Sequence, residues 1–199
     1  MHIKYADDIT ILHFSRNASN DCLQSEWNDV ICWSESNCLP INRSKYQVMN
    51  IITKRCLLPP CVTNLDGVGL DIVNDIALLG VCFSSNFMWN LHFDRIVKKA
   101  SKRIYSICNL VRSGCPTDLL LQAYFSYIRT ILLYSFPTYC NVPDYLMQKQ
   151  LRIERRICRI IHATPPQDLS AAAEAMCSRL FYRIEGNPSR PLRLSLIHI

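Results

Sequence analysis

Two adjacent carboxylates, Asp7 and Asp8, close the stretch Tyr5-Ala6-Asp7-Asp8 near the start of the chain, between short runs that read as strands. Side by side they repel each other, so a fold keeps them together in one of two settings. One is a solvated turn, where Asp is at home because its side chain bonds the local backbone. The other is a cation site. There the carboxylates hold divalent metals for phosphoryl or nucleotidyl transfer, one metal lowering the pKa of the attacking hydroxyl and one stabilising the leaving pyrophosphate. Four residues leave both readings open.

A second metal chemistry is thiolate zinc. Eleven cysteines are present, but no Cys-x-x-Cys occurs, and the close pairs Cys32/Cys38 and Cys56/Cys61 lack a nearby histidine. His2 and His13 flank the acidic turn, while His92, His162 and His198 stand alone. No zinc site is expected.

The elements that must position these groups belong to a globular chain. Its 199 residues are 49% hydrophobic and 19% charged, enough for one large domain or two small ones. No apolar run spans a bilayer; the best, TILLYSF (130–136), is too short. There is no basic start followed by an apolar core, so no signal peptide is read. An intracellular location with reduced thiols, buried as small hydrophobes, is expected.

Residues 2–14 read as a hairpin around the Asp-Asp turn. A helix follows to about residue 37, with Leu23, Trp27, Val30, Ile31 and Ser34 at helical spacing, ended by Pro40. KYQVMNIIT (45–53) reads as a buried strand. Pro59-Pro60 and Asp66-Gly67 punctuate a β-rich stretch, and IALLGVCF (76–83) reads as another strand. After Trp89 the periodicity turns helical. Phe93, Ile96, Val97, Ala100, Ile104, Ile107, Cys108 and Val111 fit one face of a helix over 91–111, stopped at Gly114 and Pro116. Thr117 and Asp118 are read as caps of a second helix to about 134. A third is expected over 143–161 and a weaker fourth over 169–184. Trp27 and Trp33 are read as helix core and flank, and Trp89 as packing.

Positive charge collects on two of these helices. Arg95, Lys98, Lys99, Lys102 and Arg103 face a single acid, Asp94, in the first. The third carries Lys149, Arg152, Arg155, Arg156 and Arg159 against Asp144 and Glu154. A basic face opposite an apolar stripe is either a solvated helix surface or a surface that tracks phosphates.

The ordered series KYADDITIL, WSESNCLPINRSKYQVMNI, LLGVCFSSNFMWNLHF and KKASKRIYSI, followed by YFSYIRTILLYSFPTYCNV and LRIERRICRII, resembles reverse transcriptases of non-LTR (LINE-type) retrotransposons over residues 2 to about 165. The fold this implies is α+β: a partial polymerase palm of hairpin, helix and antiparallel strands over 1–90, an all-helical thumb-like region over 91–165, and a poorly defined C-terminal extension over 166–199. The resemblance implies RNA-templated DNA synthesis with Mg2+ or Mn2+, the RNA template and DNA primer duplex as partners, and no membrane. It implies Asp7 as metal ligand with Asp8 beside it, and Tyr5 and Ala6 beneath the primer end. Lys45 falls where the family carries a lysine that helps pyrophosphate leave; as a bare residue it reads equally as a strand-edge lysine. Gly80, in Leu79-Gly80-Val81, matches the segment that positions the primer end, and as a bare residue reads as a strand glycine or bulge. The basic residues after 90 would hold the duplex through its phosphates.

In that family a further aspartate, on a palm strand upstream of the acidic turn, completes the metal site, and the fingers also lie upstream. The chain begins four residues before Tyr5, so the expectation is a truncated copy or a gene model begun within a longer frame, not a working polymerase by itself. The alternative expectation is a non-catalytic nucleic-acid-binding remnant, in which only the basic helices act.

Overall fold

The hydrophobic alternation of the first quarter and the helical periodicity of the second half give a mixed α+β architecture. The computed structural model describes residues 2–5, 8–13, 21–42, 45–51, 64–65 and 68–187. They fall into two compact units, Met1–Leu78 with Phe83–Met88, and Leu79–Cys82 with Trp89–Ile199.

In the first unit, β1 (His2–Tyr5) and β2 (Asp8–Ile11) pair antiparallel, Tyr5 opposite Asp8 and Ile3 opposite Thr10. The expected Asp-Asp turn is corrected: Asp8 is already in the strand, because the Tyr5–Asp8 pairing leaves a two-residue connection, Ala6 and Asp7. Those two lie outside the described residues. Helix α1 (Asp21–Ser36) carries Trp33, over whose ring Lys4 Nζ sits at 4.7 Å. Trp27 meets Tyr46 edge-on, ring centroids 4.8 Å apart. The helix ends at Cys38, whose φ of 53° turns the chain so that the Leu39 and Cys38 amides reach the Ser34 and Glu35 carbonyls. That is the Schellman arrangement with a cysteine in the glycine position.

The buried strand expected over 45–53 does not form within the described residues 45–51. Val48 makes a single parallel bridge with Ile72, and Ile51 is exposed, so among the described residues the run has no sheet to be buried against. Residues 52 and 53 lie outside the described residues. Strands β3 (Asn64–Leu65) and β4 (Val68–Gly69) form a minimal hairpin. The strand expected over 76–83 is instead two, β5 (Asp75–Leu78) and β6 (Val81–Ser84). Leu79 and Gly80 between them have φ of 48° and 82°. Two consecutive positive φ values make the tight reversal whose twist matches paired strands.

The second unit is helical. Helix α2 (Asn90–Arg112) buries Phe93, Ile96, Ala100, Ile104 and Ile107. Gly114, φ 73°, ends it in a Schellman turn, with the Cys115 and Gly114 amides on the Leu110 and Val111 carbonyls. Helix α3 (Thr117–Tyr124) has Pro116 at its N-cap; Thr117 is the first helical residue and provides no side-chain cap, so the expected Thr-Asp cap is corrected. The helix continues through a π turn (Phe125–Arg129) into α4 (Thr130–Leu133). A π turn adds one residue to the helical repeat, and here it lets neighbours Ile128 and Arg129 both be buried. A 3-10 turn (Phe136–Tyr139), α5 (Asp144–Ile161) and α6 (Leu169–Glu185) complete the unit.

One core joins these helices. Phe93, Ile107, Ile128, Leu132, Ile157 and Leu169 are fully or almost fully buried in it, each worth about 2 kcal/mol of transfer free energy. Leu169 and Ala173 put α6 into the same core, so the C-terminal extension expected from residue 166 begins as part of the helical unit. Asp168 caps α6, accepting from the Ala171 amide at 2.7 Å. Among the described residues no helix is long and apolar enough to cross a membrane. The eight described cysteines with placed side chains are free, and Cys32, Cys38 and Cys140 are exposed, against the expectation of buried thiols.

Candidate nucleic-acid interface

Charge divides unevenly along the chain. Residues 1–88 hold nine acidic and six basic residues, and residues 89–199 hold seven acidic and sixteen basic. The two strongest contributors are α2 and α5, which pack side by side. Tyr145 Oη donates to Asn90 Oδ1 at 2.5 Å, and one turn on Lys149 Nζ donates to Asp94 Oδ1 at 2.6 Å. The two bonds advance in the same sense along both helices, so α2 and α5 run parallel. The half-exposed ion pair adds little stability in itself; it fixes register.

Continuing that register sets Lys98 and Lys102 of α2 level with positions 153 and 157 of α5. Ile153 and Ile157 point into the core, so their neighbours Arg152 and Arg156 take the solvent side. This register gives two rows of cations, Lys98 and Lys102 on α2 and Arg152 and Arg156 on α5, about 6 Å apart along each helix, on axes about 8–10 Å apart. Lys98, Lys99, Lys102, Arg152 and Arg156 are exposed and make no hydrogen bond or ion pair among the described residues.

The other expected cations are differently occupied. Arg95 donates to Cys82 Sγ at 2.7 Å. Arg103 donates to the Tyr127 carbonyl at 2.8 Å and stacks on the Tyr127 ring, 4.1 Å from its centroid, so it joins α2 to the π turn. Arg155 bonds Gln148 Oε1, and Arg159 bonds the Arg155 carbonyl.

Gly80 sits at the tip of the β5–β6 turn. A Cβ there would lie 3.2 Å from the Tyr134 ring, and the φ of 82° already disfavours an L side chain. The close approach that this glycine permits is therefore made by Tyr134, whose hydroxyl donates to the Leu79 carbonyl at 2.7 Å. Tyr139 in turn donates to the Tyr134 carbonyl at 2.7 Å. On the strand side of the turn the Cys82 amide donates to His92 Nδ1 at 3.2 Å. Tyr134, Tyr139 and His92 thus anchor the 79–82 segment on the helical unit. Sequence reasoning set His92 aside as isolated; its place within the apolar face of α2, next to Phe93, was the available signal.

His92 is buried, with the rings of Trp89, Phe93 and Tyr139 around it, and its Nε2 has no hydrogen-bond partner among the described residues. Burial, and then the Arg95 guanidinium, hold its pKa below the ordinary 6.5. The folded chain therefore favours neutral His92 more than the unfolded chain does. Its stabilising contribution is full above pH 6.5 and is lost as pH falls through the lowered folded value. Urea unfolding should show stability dropping from pH 7.5 towards pH 5. His92→Gln should be less stable at pH 7.5 and lose much of that slope; equal slopes in both proteins would exclude His92 as the source.

At the acidic hairpin, Tyr5 and Asp8 are exposed, and the Asp8 carboxylate makes no bond among the described residues. Lys45 is exposed beyond α1, without a side-chain partner among the described residues. Asp7 and Ala6 lie outside them. Among the described residues no group of three or more His, Cys, Asp or Glu gathers.

Compared with family models, curated proteins and solved structures, the chain finds no match in any of the three.

Proposed function

We propose that the chain is the palm-to-thumb part of a reverse transcriptase of the non-LTR retrotransposon type, and that its helical unit holds a primer–template duplex by the phosphates. The observation that carries this reading is the pair of cation rows, Lys98 and Lys102 beside Arg152 and Arg156, exposed and without internal partners. Cations already neutralised by acids would gain little from a phosphate, whereas these release the counterions of the nucleic acid on contact. Such contacts position a duplex without reading its sequence. The order of elements supports the same reading: an acidic hairpin, a helix, short strands, a tight glycine turn, then basic helices. In this reading Asp7 and Asp8 are the proposed Mg2+ or Mn2+ ligands and need at least one further carboxylate, Lys45 assists the leaving group, and the 79–82 turn lies near the primer end.

A second reading, duplex binding without chemistry, rests on the exposed cations alone, which hold phosphates without any metal. One experiment separates the two. The purified chain and Asp7→Asn are assayed together for binding to a short RNA–DNA hybrid and for primer extension with Mg2+ or Mn2+. Extension lost in Asp7→Asn supports the polymerase reading. Binding of equal strength in both proteins, with no extension in either, supports the second. Absence of salt-sensitive binding would overturn both.

A further inference from the structure

We propose that Cys140 and Cys177 form a reversible regulatory disulfide, a redox modification site that clamps α6 to the segment carrying Tyr134 and Tyr139. Cys140 immediately follows the 3-10 turn, and Cys177 lies one helical turn beyond buried Ala173 on α6. The 3-10 turn and α6 are in direct contact. Both thiols line one open cleft of about 480 Å³, together with Pro137, Ser178, Phe181 and Ile184. Cys140 lies close enough to perturb the Cys177 thiol, and both cysteines are free. A disulfide needs the two Cα atoms within about 7 Å of each other, and one side of this pair adjoins a short turn able to adjust to that.

The two thiols are not equivalent. Cys140 is exposed and Cys177 is half-buried. Burial first, and then the neighbouring Cys140, push the Cys177 thiol above its ordinary pKa, so it stays protonated more readily. Cys140 is therefore the entry point and Cys177 the resolving group. With a peroxide as oxidant, the Cys140 thiolate attacks one peroxide oxygen. The O–O bond breaks, and a sulfenic acid and water result. The Cys177 sulfur then attacks the sulfenic sulfur, the S–S bond forms, and the hydroxyl leaves as a second water with the Cys177 proton. Two thiols lose two electrons and two protons, and hydrogen peroxide becomes two waters. A dithiol reductant reverses the modification by exchange.

The location gives the bond a consequence. Cys140 adjoins Tyr139, which holds Tyr134, which holds the Leu79 carbonyl. Clamping Cys140 to α6 would stiffen the strut under the 79–82 turn.

The test uses the full chain, reduced and then titrated with hydrogen peroxide, with peptide mapping after alkylation. The expected product is a Cys140–Cys177 linked peptide, with thermal unfolding raised by about 5 °C or more and restored by dithiothreitol. Cys140→Ser should lose both the link and the shift. Cys177→Ser should leave a sulfenic acid at Cys140 that dimedone traps. Complete peroxide oxidation without a 140–177 link, or Cys140 linked chiefly to another cysteine or another molecule, would overturn the proposal, and both readouts stand on the wild-type chain alone.

Discussion

Replacing Lys98, Lys102, Arg152 and Arg156 together by alanine is expected to remove most of the salt dependence of hybrid-duplex binding. Each cation that neutralises a phosphate contributes about 0.9 to the slope of log affinity against log salt. Four lost contacts should flatten that slope by about 3–4, whatever the duplex sequence. The effect should be large because none of the four has an internal partner among the described residues to which its charge is already committed. Arg103→Ala gives the contrast. Its guanidinium is occupied by the Tyr127 ring and carbonyl, so the substitution should lower stability more than it changes the slope. A four-alanine protein that folds and binds with an unchanged slope would remove the cation rows from the interface.

The second large effect is structural and centres on Glu154. This carboxylate is 5% exposed, accepts from Tyr124 Oη at 2.6 Å, and accepts from the Leu169 amide, the first residue of α6, at 2.9 Å. Close by, buried Arg129 donates to the Asp168 carbonyl at 2.6 Å. One acidic side chain thus serves α3 and the start of α6 at once. Glu154→Ala leaves two buried donors without an acceptor, each costing about 1–3 kcal/mol, besides the lost packing. A loss of about 3–5 kcal/mol in urea unfolding is expected. Tyr124→Phe removes only one donor with its bond and should cost about 1 kcal/mol. Burial, and then the bond to Glu154, raise the Tyr124 pKa far above 10, so the fold holds the neutral phenol. The stability from that group is full below pH 10 and is lost as pH rises beyond it, a component that Tyr124→Phe should abolish. An Ala variant within 1 kcal/mol of wild type would exclude this hub.

Both sites lie on helices whose inward and outward faces could be written from the order of residues. On α2 and α5 the apolar positions recur at helical spacing and the basic ones fall between them. Burial of Phe93, Ile96, Ile104, Ile153 and Ile157 follows because a helix has only one way to present such a stripe to a core. Helix ends were legible for the same local reason, at Gly114 most plainly, since a left-handed residue ends a helix whatever it packs on. The β part was less so. IALLGVCF has the composition of a buried strand, and only the paired positive φ values of Leu79 and Gly80 divide it. KYQVMNIIT has the same composition and, through residue 51, forms one bridge, because strand formation needs a partner that periodicity does not supply.

The order of residues settles where charge collects, which helices form, which of their faces are buried, and that two carboxylates stand next to each other near a hairpin. Tertiary structure alone decided which cations remain available. Arg95 and Arg103 read like Lys98 and Lys102 in the sequence, but long-range contacts with Cys82 and Tyr127 commit the first two and leave the others to solvent. It also decided that Tyr134, Tyr139 and His92 converge on one turn, and that Cys140 and Cys177 line one cleft. Each of these depends on groups far apart in the chain, and local spacing cannot state which distant partner a side chain will find.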